Sequence, residues 1–90
     1  MTTGAATLER AVEKISLRDA RTQLGLTQGQ LAEMVPPENK IHYNLISACE
    51  NGRPIWRYNA YLLLDAINKK REQRGWKPLT IWDIDWTLRG

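Results

Sequence analysis

Four neighbouring polar residues are of types that could recognise a ligand: His42, Tyr43, Asn44 and Ser47, followed by the small Ala48. Their side chains can donate or accept hydrogen bonds, and the apolar spacing around them requires none of them in a core. A helix whose first turns carry short polar groups can enter the major groove of DNA and read base edges. A solvated polar face without a ligand explains the same residues equally well.

Two short helices joined by a long turn are predicted to position these residues. Thr27 and Gln30 form a T-x-x-Q capping box, which predicts the start of the first helix. The prolines at 36–37 predict its end, because proline lacks a backbone N–H and restricts the residue before it. The second helix is predicted near 41–51, with Gly52 able to adopt the left-handed conformation that ends a helix.

Two sequence runs in this region resemble those of a known family. GLTQGQLAEMV begins at residue 25 and ISACENGR begins at residue 46. Together they resemble the lambda-repressor/Cro-type helix-turn-helix family, also called the XRE family, which shows G-L-T-Q-x-x-L-A followed by I-S-x-x-E-x-G. The resemblance covers residues 17 to about 67. One departure is the turn at 36–40, which is longer than the tight glycine turn usual in the family.

An all-α fold is predicted from the helical spacing and from this resemblance. It is expected to be a compact five-helix lambda-repressor-like DNA-binding domain. A partly helical N-terminal extension (1–15) precedes the domain (16–75), and a short Trp-rich C-terminal tail (76–90) follows it. The extension carries an apolar stripe formed by Leu8, Ala11, Val12 and Ile15. The core is predicted to contain Leu24, Leu31, Val35, Ile46, Cys49, Leu63 and Ile67.

The sequence of the tail is compatible with a short helix or a strand, and with a dimer interface or a place in the monomer's own core. Thr80 and Asp83 form a capping pattern that predicts a short helix at 81–84, whereas alternating apolar residues from Trp82 to Trp86 favour a strand. The aromatic area of the tail is typical of homodimer interfaces, although closing the monomer's own core explains it equally well. The predicted dimerisation residues are Trp76, Ile81, Trp82, Ile84 and Trp86.

The resemblance also implies roles for individual residues. Gln28 resembles the glutamine that meets DNA and steadies the recognition helix, and Asn44 could pair bidentately with adenine. The implied base-contacting residues are Gln28, Tyr43, Asn44, Ser47 and Ala48. The residues implied to hold phosphates, a role that positions the protein without reading sequence, are Lys40, His42, Asn51, Arg53 and Arg57.

Composition sets the class of protein. Ninety residues, 42% hydrophobic and 26% charged, are expected to form one small globular domain, and the net charge of +3 is compatible with nucleic acid.

The single Cys49 excludes an internal disulfide, suits a reducing cytoplasm and is expected to be a buried thiol rather than a nucleophile. No apolar run approaches the ~20 residues of a membrane span, and no secretory signal is expected.

The predicted function is therefore sequence-specific binding of double-stranded DNA by a repressor-like transcriptional regulator. We expect a homodimer on an operator, in the cytoplasm of a prokaryotic cell or encoded by a phage, and associated with the nucleoid. The alternative is a protein-interaction module of the same fold, such as an antitoxin or phage-type regulator that docks a partner through its tail. An enzyme, a metal site and a cofactor are not expected, because no phosphate loop, nucleophile–histidine pair or ligand cluster is present.

Overall fold

Helices dominate the fold, and one small sheet completes it. The computed structural model describes residues 14–90. In chain order the elements are α1 (Leu17–Thr22), α2 (Gln28–Met34), a 3₁₀ helix (Pro37–Asn39), α3 (Tyr43–Glu50), β1 (Ile55–Trp56), α4 (Arg57–Gln73) and β2 (Leu88–Arg89). Helix α3 packs against α1 and α2, while α4 packs against α2 and both strands.

The helix boundaries follow the local signals in the sequence. The Thr27 hydroxyl accepts a hydrogen bond from the Gln30 N–H at 3.0 Å, and the Gln30 side chain accepts one from the Thr27 N–H at 2.9 Å. This confirms the predicted capping box, which satisfies two N–H groups that a helix start leaves unpaired. Gly52 has φ of 93° directly after α3, in the conformation predicted for a helix end.

One hydrophobic core lies between α4 and the other elements. All seven predicted core residues are buried, which confirms that part of the prediction. The core also takes in residues that were not predicted to belong to it, among them Ile55 from β1 and both Ile81 and Ile84 from the tail. The tail therefore contributes apolar surface to the monomer's own interior.

The predicted five-helix, all-α fold is wrong. Residues 14–90 contain four α-helices, and the tail forms no α-helix. Instead β1 and β2 form a two-stranded parallel sheet in which Ile55 is paired with Leu88 and Trp56 with Arg89. Parallel strands need a long crossover connection, and α4 together with the tail provides it.

Hydrogen bonding in the tail explains why a strand forms there. The Thr80 N–H donates to the Asp83 carboxylate at 2.7 Å, which closes a single turn. Beyond this turn, Ile84 forms a parallel bridge with Ile15. The Ile15 N–H donates to the Asp83 carbonyl at 2.9 Å, and the Asp85 N–H donates to the Ile15 carbonyl at 2.8 Å. Pairing with a distant segment thus satisfies the backbone groups that a local helix would have satisfied.

The predicted N-terminal helix falls largely outside the described residues. Its apolar members Leu8, Ala11 and Val12 precede residue 14. The last member, Ile15, is within the described residues. It is paired with Ile84 through a parallel bridge and is not part of a helix.

The cationic end of α4 is held by internal contacts. The Arg74 guanidinium donates to the Gln23 carbonyl at 3.2 Å and to the Leu24 carbonyl at 3.0 Å, just after α1. The Arg71 and Arg74 guanidinium carbons lie 5.4 and 5.3 Å from the Trp76 ring centroid. Within residues 14–90 no helix is both long and apolar enough to cross a membrane.

The tail's place in the core makes a stability prediction. Ile84 is 1% exposed, whereas its neighbour Trp82 is 62% exposed. We expect Ile84→Ala to lower the free energy of unfolding by about 2–5 kcal/mol, because it leaves a cavity in the interior. The matched variant Trp82→Ala should cost less than about 1 kcal/mol. Urea denaturation of both variants measures this, and equal losses would contradict the assignment of the tail to the core.

Candidate nucleic-acid interface

The long turn before α3 has a defined backbone conformation and a hydrogen bond to α4. Helix α2 ends at Met34, before the two prolines, as predicted. Lys40 then adopts φ of 46°, a left-handed conformation that is uncommon for a residue with a side chain. The Tyr58 hydroxyl on α4 donates to the Asn39 side-chain oxygen at 2.8 Å, so the first turn of α4 anchors the 3₁₀ segment. These features therefore fix the direction in which the chain enters α3.

Helix α3 presents a polar face and buries an apolar one. It begins at Tyr43, two residues later than predicted, because His42 serves as its N-cap. The His42 Nδ1 accepts a hydrogen bond from the Asn44 N–H at 3.1 Å. Tyr43 and Asn44 are exposed, and Ser47 is half-buried.

The opposite side of α3 faces the core. Ile46 and Cys49 are buried, and Leu45 is half-buried against the core. This division of faces leaves the predicted base-contacting residues of α3 on one surface, where Tyr43, Asn44 and Ser47 lie with the half-buried Ala48 beside them. The fifth residue of that set, Gln28, begins α2 and is half-buried.

A nearly buried ion pair joins the start of the domain to the end of α3. The Arg21 guanidinium donates to both oxygens of the Glu50 carboxylate, at 2.6 and 3.0 Å, and the two side chains are 10% and 7% exposed. Arg21 also donates to the Leu26 carbonyl at 2.8 Å. The Gln28 side-chain N–H donates to Glu50 at 3.1 Å. One carboxylate thus ties α1, α2 and α3 together.

This network was missed by the sequence reasoning. Helical spacing puts Leu17, Ala20 and Leu24 on the inner face of α1 and leaves Arg21 outside it, but Arg21 is buried. Glu50 was identified only as a match to the family pattern. The partners are 29 residues apart, so no local periodicity links them. The available signal was charge: an arginine beside the inner face of one helix and a glutamate at the end of another.

The network sets the protonation of Glu50. Burial by itself raises the pKa of this carboxyl, but hydrogen bonds from Arg21 and Gln28, with the charges of Arg21 and Arg18, more than offset it. The net effect is a pKa below the ordinary glutamate value. Glu50 therefore remains a carboxylate, and as an acceptor only it fixes the Gln28 amide nitrogen toward itself.

The lone thiol lies directly beside this carboxylate. Burial, and then the nearby charge of Glu50, raise the pKa of Cys49 to about 11. A thiol is nucleophilic only as the thiolate, so Cys49 is a packing residue at neutral pH.

The predicted phosphate-contacting residues divide into two groups. The side chains of Lys40 and Arg53 are exposed and make no hydrogen bond within residues 14–90. The other three have internal partners: His42 caps α3, Asn51 donates to the Ser47 carbonyl at 2.9 Å, and Arg57 donates to the Gly90 carbonyl at 3.2 Å. Lys40 and Arg53 are therefore the stronger candidates for phosphate contacts.

The predicted dimerisation residues are not one surface. Ile81 and Ile84 are buried in the monomer's core, which corrects their assignment to an interface. Trp86 is half-buried, and its indole N–H donates to the Ile81 carbonyl at 3.1 Å. Trp76 lies against two arginines of α4, and only Trp82 projects mainly into solvent.

The comparisons with known proteins returned no match to a family model, to a curated protein or to a solved structure. The resemblance to the XRE family therefore stays a prediction, carried by the two sequence runs alone.

The ion pair makes a prediction about stability. Glu50→Ala leaves the Arg21 charge without its partner and should lower the free energy of unfolding by about 3–5 kcal/mol. The double variant Arg21→Met with Glu50→Met removes both charges and should cost less than the single change. Urea denaturation at pH 7 measures both, and a double variant less stable than Glu50→Ala would contradict the network.

The same pair predicts the response to acid. Because the folded pKa of Glu50 is lowered, its stabilisation is complete above the unfolded glutamate pKa of about 4.3 and is lost as pH falls through the folded value. Stability profiles from neutral pH to pH ~3 should therefore fall more steeply for the unmodified protein than for the double variant. Parallel profiles would contradict this.

Proposed function

We propose that this chain is a repressor-like transcriptional regulator that binds double-stranded DNA sequence-specifically, with α3 as the recognition helix. The observation that carries the proposal is the polar face of α3, whose helix end is held to α1 and α2 by the Glu50 network. A reading helix needs exposed donors and acceptors on a rigid support, since loose placement weakens directional recognition. The proposal does not depend on the five-helix fold, because residues 14–90 contain four α-helices and a small sheet.

Dimensions and charge support this proposal. An α-helix with its side chains is about 10–12 Å across, which fits the ~12 Å width of the major groove, and the eight residues of α3 are about 12 Å long. The chain carries a net charge of +3, and cationic side chains supply most of the sequence-independent affinity for DNA. Lys40 precedes α3 and Arg53 follows it, so each end of the helix has a cation suited to a phosphate.

Gln28 supports α3 and keeps free polar atoms. Its amide nitrogen donates one N–H to Glu50, which leaves the second N–H and the amide oxygen without a partner within residues 14–90. The second N–H can donate to a base or a phosphate, and the oxygen can accept from the amino group of adenine or cytosine. We assign Gln28 to steadying α3 through Glu50, with its second N–H and its oxygen left for a contact with DNA.

Asn44 is the principal candidate for reading a base. Its side chain is exposed and makes no hydrogen bond within residues 14–90, while its backbone is held by the His42 cap. The side-chain amide offers a donor beside an acceptor, which matches adenine in the major groove. Tyr43 stands beside it and could contact a base, a methyl group or a phosphate.

Asn44 and Arg53 should therefore respond differently to substitution. Asn44→Ala is expected to cost roughly 1–3 kcal/mol on the preferred site and to relax the choice of one base pair. Arg53→Ala should weaken binding to all sequences alike and lower the slope of log affinity against log salt by about one unit.

The measurement has two stages. Selection from a random duplex pool gives the preferred site, and titrations on that site and on a scrambled duplex across a salt series give affinities and slopes. If Asn44→Ala weakened both duplexes equally, or Arg53→Ala changed base preference at constant slope, these roles would be wrong.

A homodimer is the proposed binding form. One recognition helix covers few base pairs, and two-fold partners gain affinity from half-sites about 34–36 Å apart. After Ile81 and Ile84 are removed from the predicted interface, Trp82 remains as the tail's most exposed aromatic side chain. Sedimentation at micromolar concentration should show a dimer, with Trp82→Ala shifted toward monomer. A monomer bound to a site without two-fold symmetry would contradict this form.

The exposed Trp82 also favours a second candidate function, a protein-interaction module that docks a partner through the tail. Deleting residues 76–90 cannot test this, because it would remove Ile81 and Ile84 from the core. Trp82→Ala is the cleaner variant. If Trp82→Ala lost a stable complex with a partner protein but kept its DNA affinity, this second function would be favoured. For either function, the proposed location is the cytoplasm or the nucleoid of a prokaryotic cell.

A further inference from the structure

The parallel sheet brings a cation from the far end of the chain next to the segment that leaves α3. In the register of β1 and β2, Trp56 lies opposite Arg89, 33 residues later in the sequence. The Arg89 guanidinium carbon lies 4.4 Å from the centroid of the Trp56 ring. Gly90 also packs on this indole, since a Cβ built there would meet the ring at 2.8 Å. Trp56 remains 53% exposed, so the stacked pair lies on the surface.

Stacking orients Arg89 without using its hydrogen-bond donors. All five guanidinium N–H groups lie in the plane of the group, so an aromatic ring below that plane occupies none of them. Within residues 14–90 the Arg89 side chain makes no hydrogen bond. The neighbouring Arg57 differs, because its Nε–H donates to the Gly90 carbonyl. Arg89 is thus an exposed cation that is held against an aromatic ring and whose donors have no partner within residues 14–90.

The chain length limits how far this pair can lie from α3. Trp56 follows Gly52 by four positions, and four extended residues span at most about 14 Å. The major groove is about 12 Å wide, with phosphates along both walls. Trp56 therefore lies within about one groove width of the segment that leaves α3, which is the distance at which a phosphate wall runs. The exposed Arg53 lies on the intervening segment and adds a second cation there.

Resting on the proposed function, we propose that Arg89, stacked on Trp56, binds a backbone phosphate of the same DNA duplex that α3 reads. The tail then contributes directly to DNA affinity. A planar fork of N–H donors matches the oxygens of a phosphate, and the stack reduces the side-chain freedom lost on binding. A second copy of the chain fits this surface poorly, because two-fold symmetry would bring its arginines together.

The experiment measures affinity of the full chain for a random-sequence duplex between about 50 and about 200 mM salt. Arg89→Ala should lower the magnitude of the slope of log affinity against log salt by about one unit. Arg89→Lys keeps the charge and should restore most of the slope while losing affinity, because an ammonium ion lacks the planar fork. The control is Lys77→Ala, which removes one exposed positive charge from the other end of the tail and should leave the slope unchanged.

The outcomes separate this inference from the proposed function. Absence of binding by the unmodified protein to any duplex, including a selected pool, would overturn the proposed function and with it this inference. Normal binding with an unchanged slope in Arg89→Ala would overturn the inference alone, as would an equal change in Lys77→Ala. If Arg89→Ala altered sedimentation without DNA, the surface would be an interface between copies, which also overturns it.

Discussion

The bidentate contact between Arg21 and Glu50 determines how the three short helices are arranged. Helices α1, α2 and α3 have six to eight residues each, lengths at which an isolated helix is marginal in water. Their stability must therefore come from contacts between them. The ion pair supplies direction as well as attraction, because a planar guanidinium facing a planar carboxylate permits few relative orientations. Whatever surface α3 presents is defined by this contact.

Local signals predicted much of the fold. The capping box of Thr27 and Gln30, the stop at Met34 before two prolines, and the positive φ of Gly52 each depend on residues within a few positions of one another. Apolar spacing predicted the core for a similar reason, since a helix that covers a core must repeat every three to four residues. Such features need no knowledge of the tertiary structure.

Contacts between distant residues were not predictable in this way. Helical spacing leaves Arg21 outside the apolar face of α1, yet a partner 29 residues away keeps it buried. The tail offered a helix cap at Thr80 and a strand alternation around Ile84, and only pairing with Ile15 and β1 decided between them. For the candidate site, the exposed polar residues of α3 were predictable from their types. The contact of Arg89 with Trp56 depends on a strand register that the sequence does not encode locally.

The parallel sheet also imposes an order on folding. Synthesis runs from the N-terminus, so the residues of α1, α2 and α3 are made before the tail that pairs with Ile15 and Ile55. Until residues 81–88 are made, the side of α4 that they cover faces water. Contacts between such distant parts of a chain form slowly, because a long loop must close first. The nascent protein therefore passes through a stage in which α3 is complete but part of the apolar surface of α4 is uncovered.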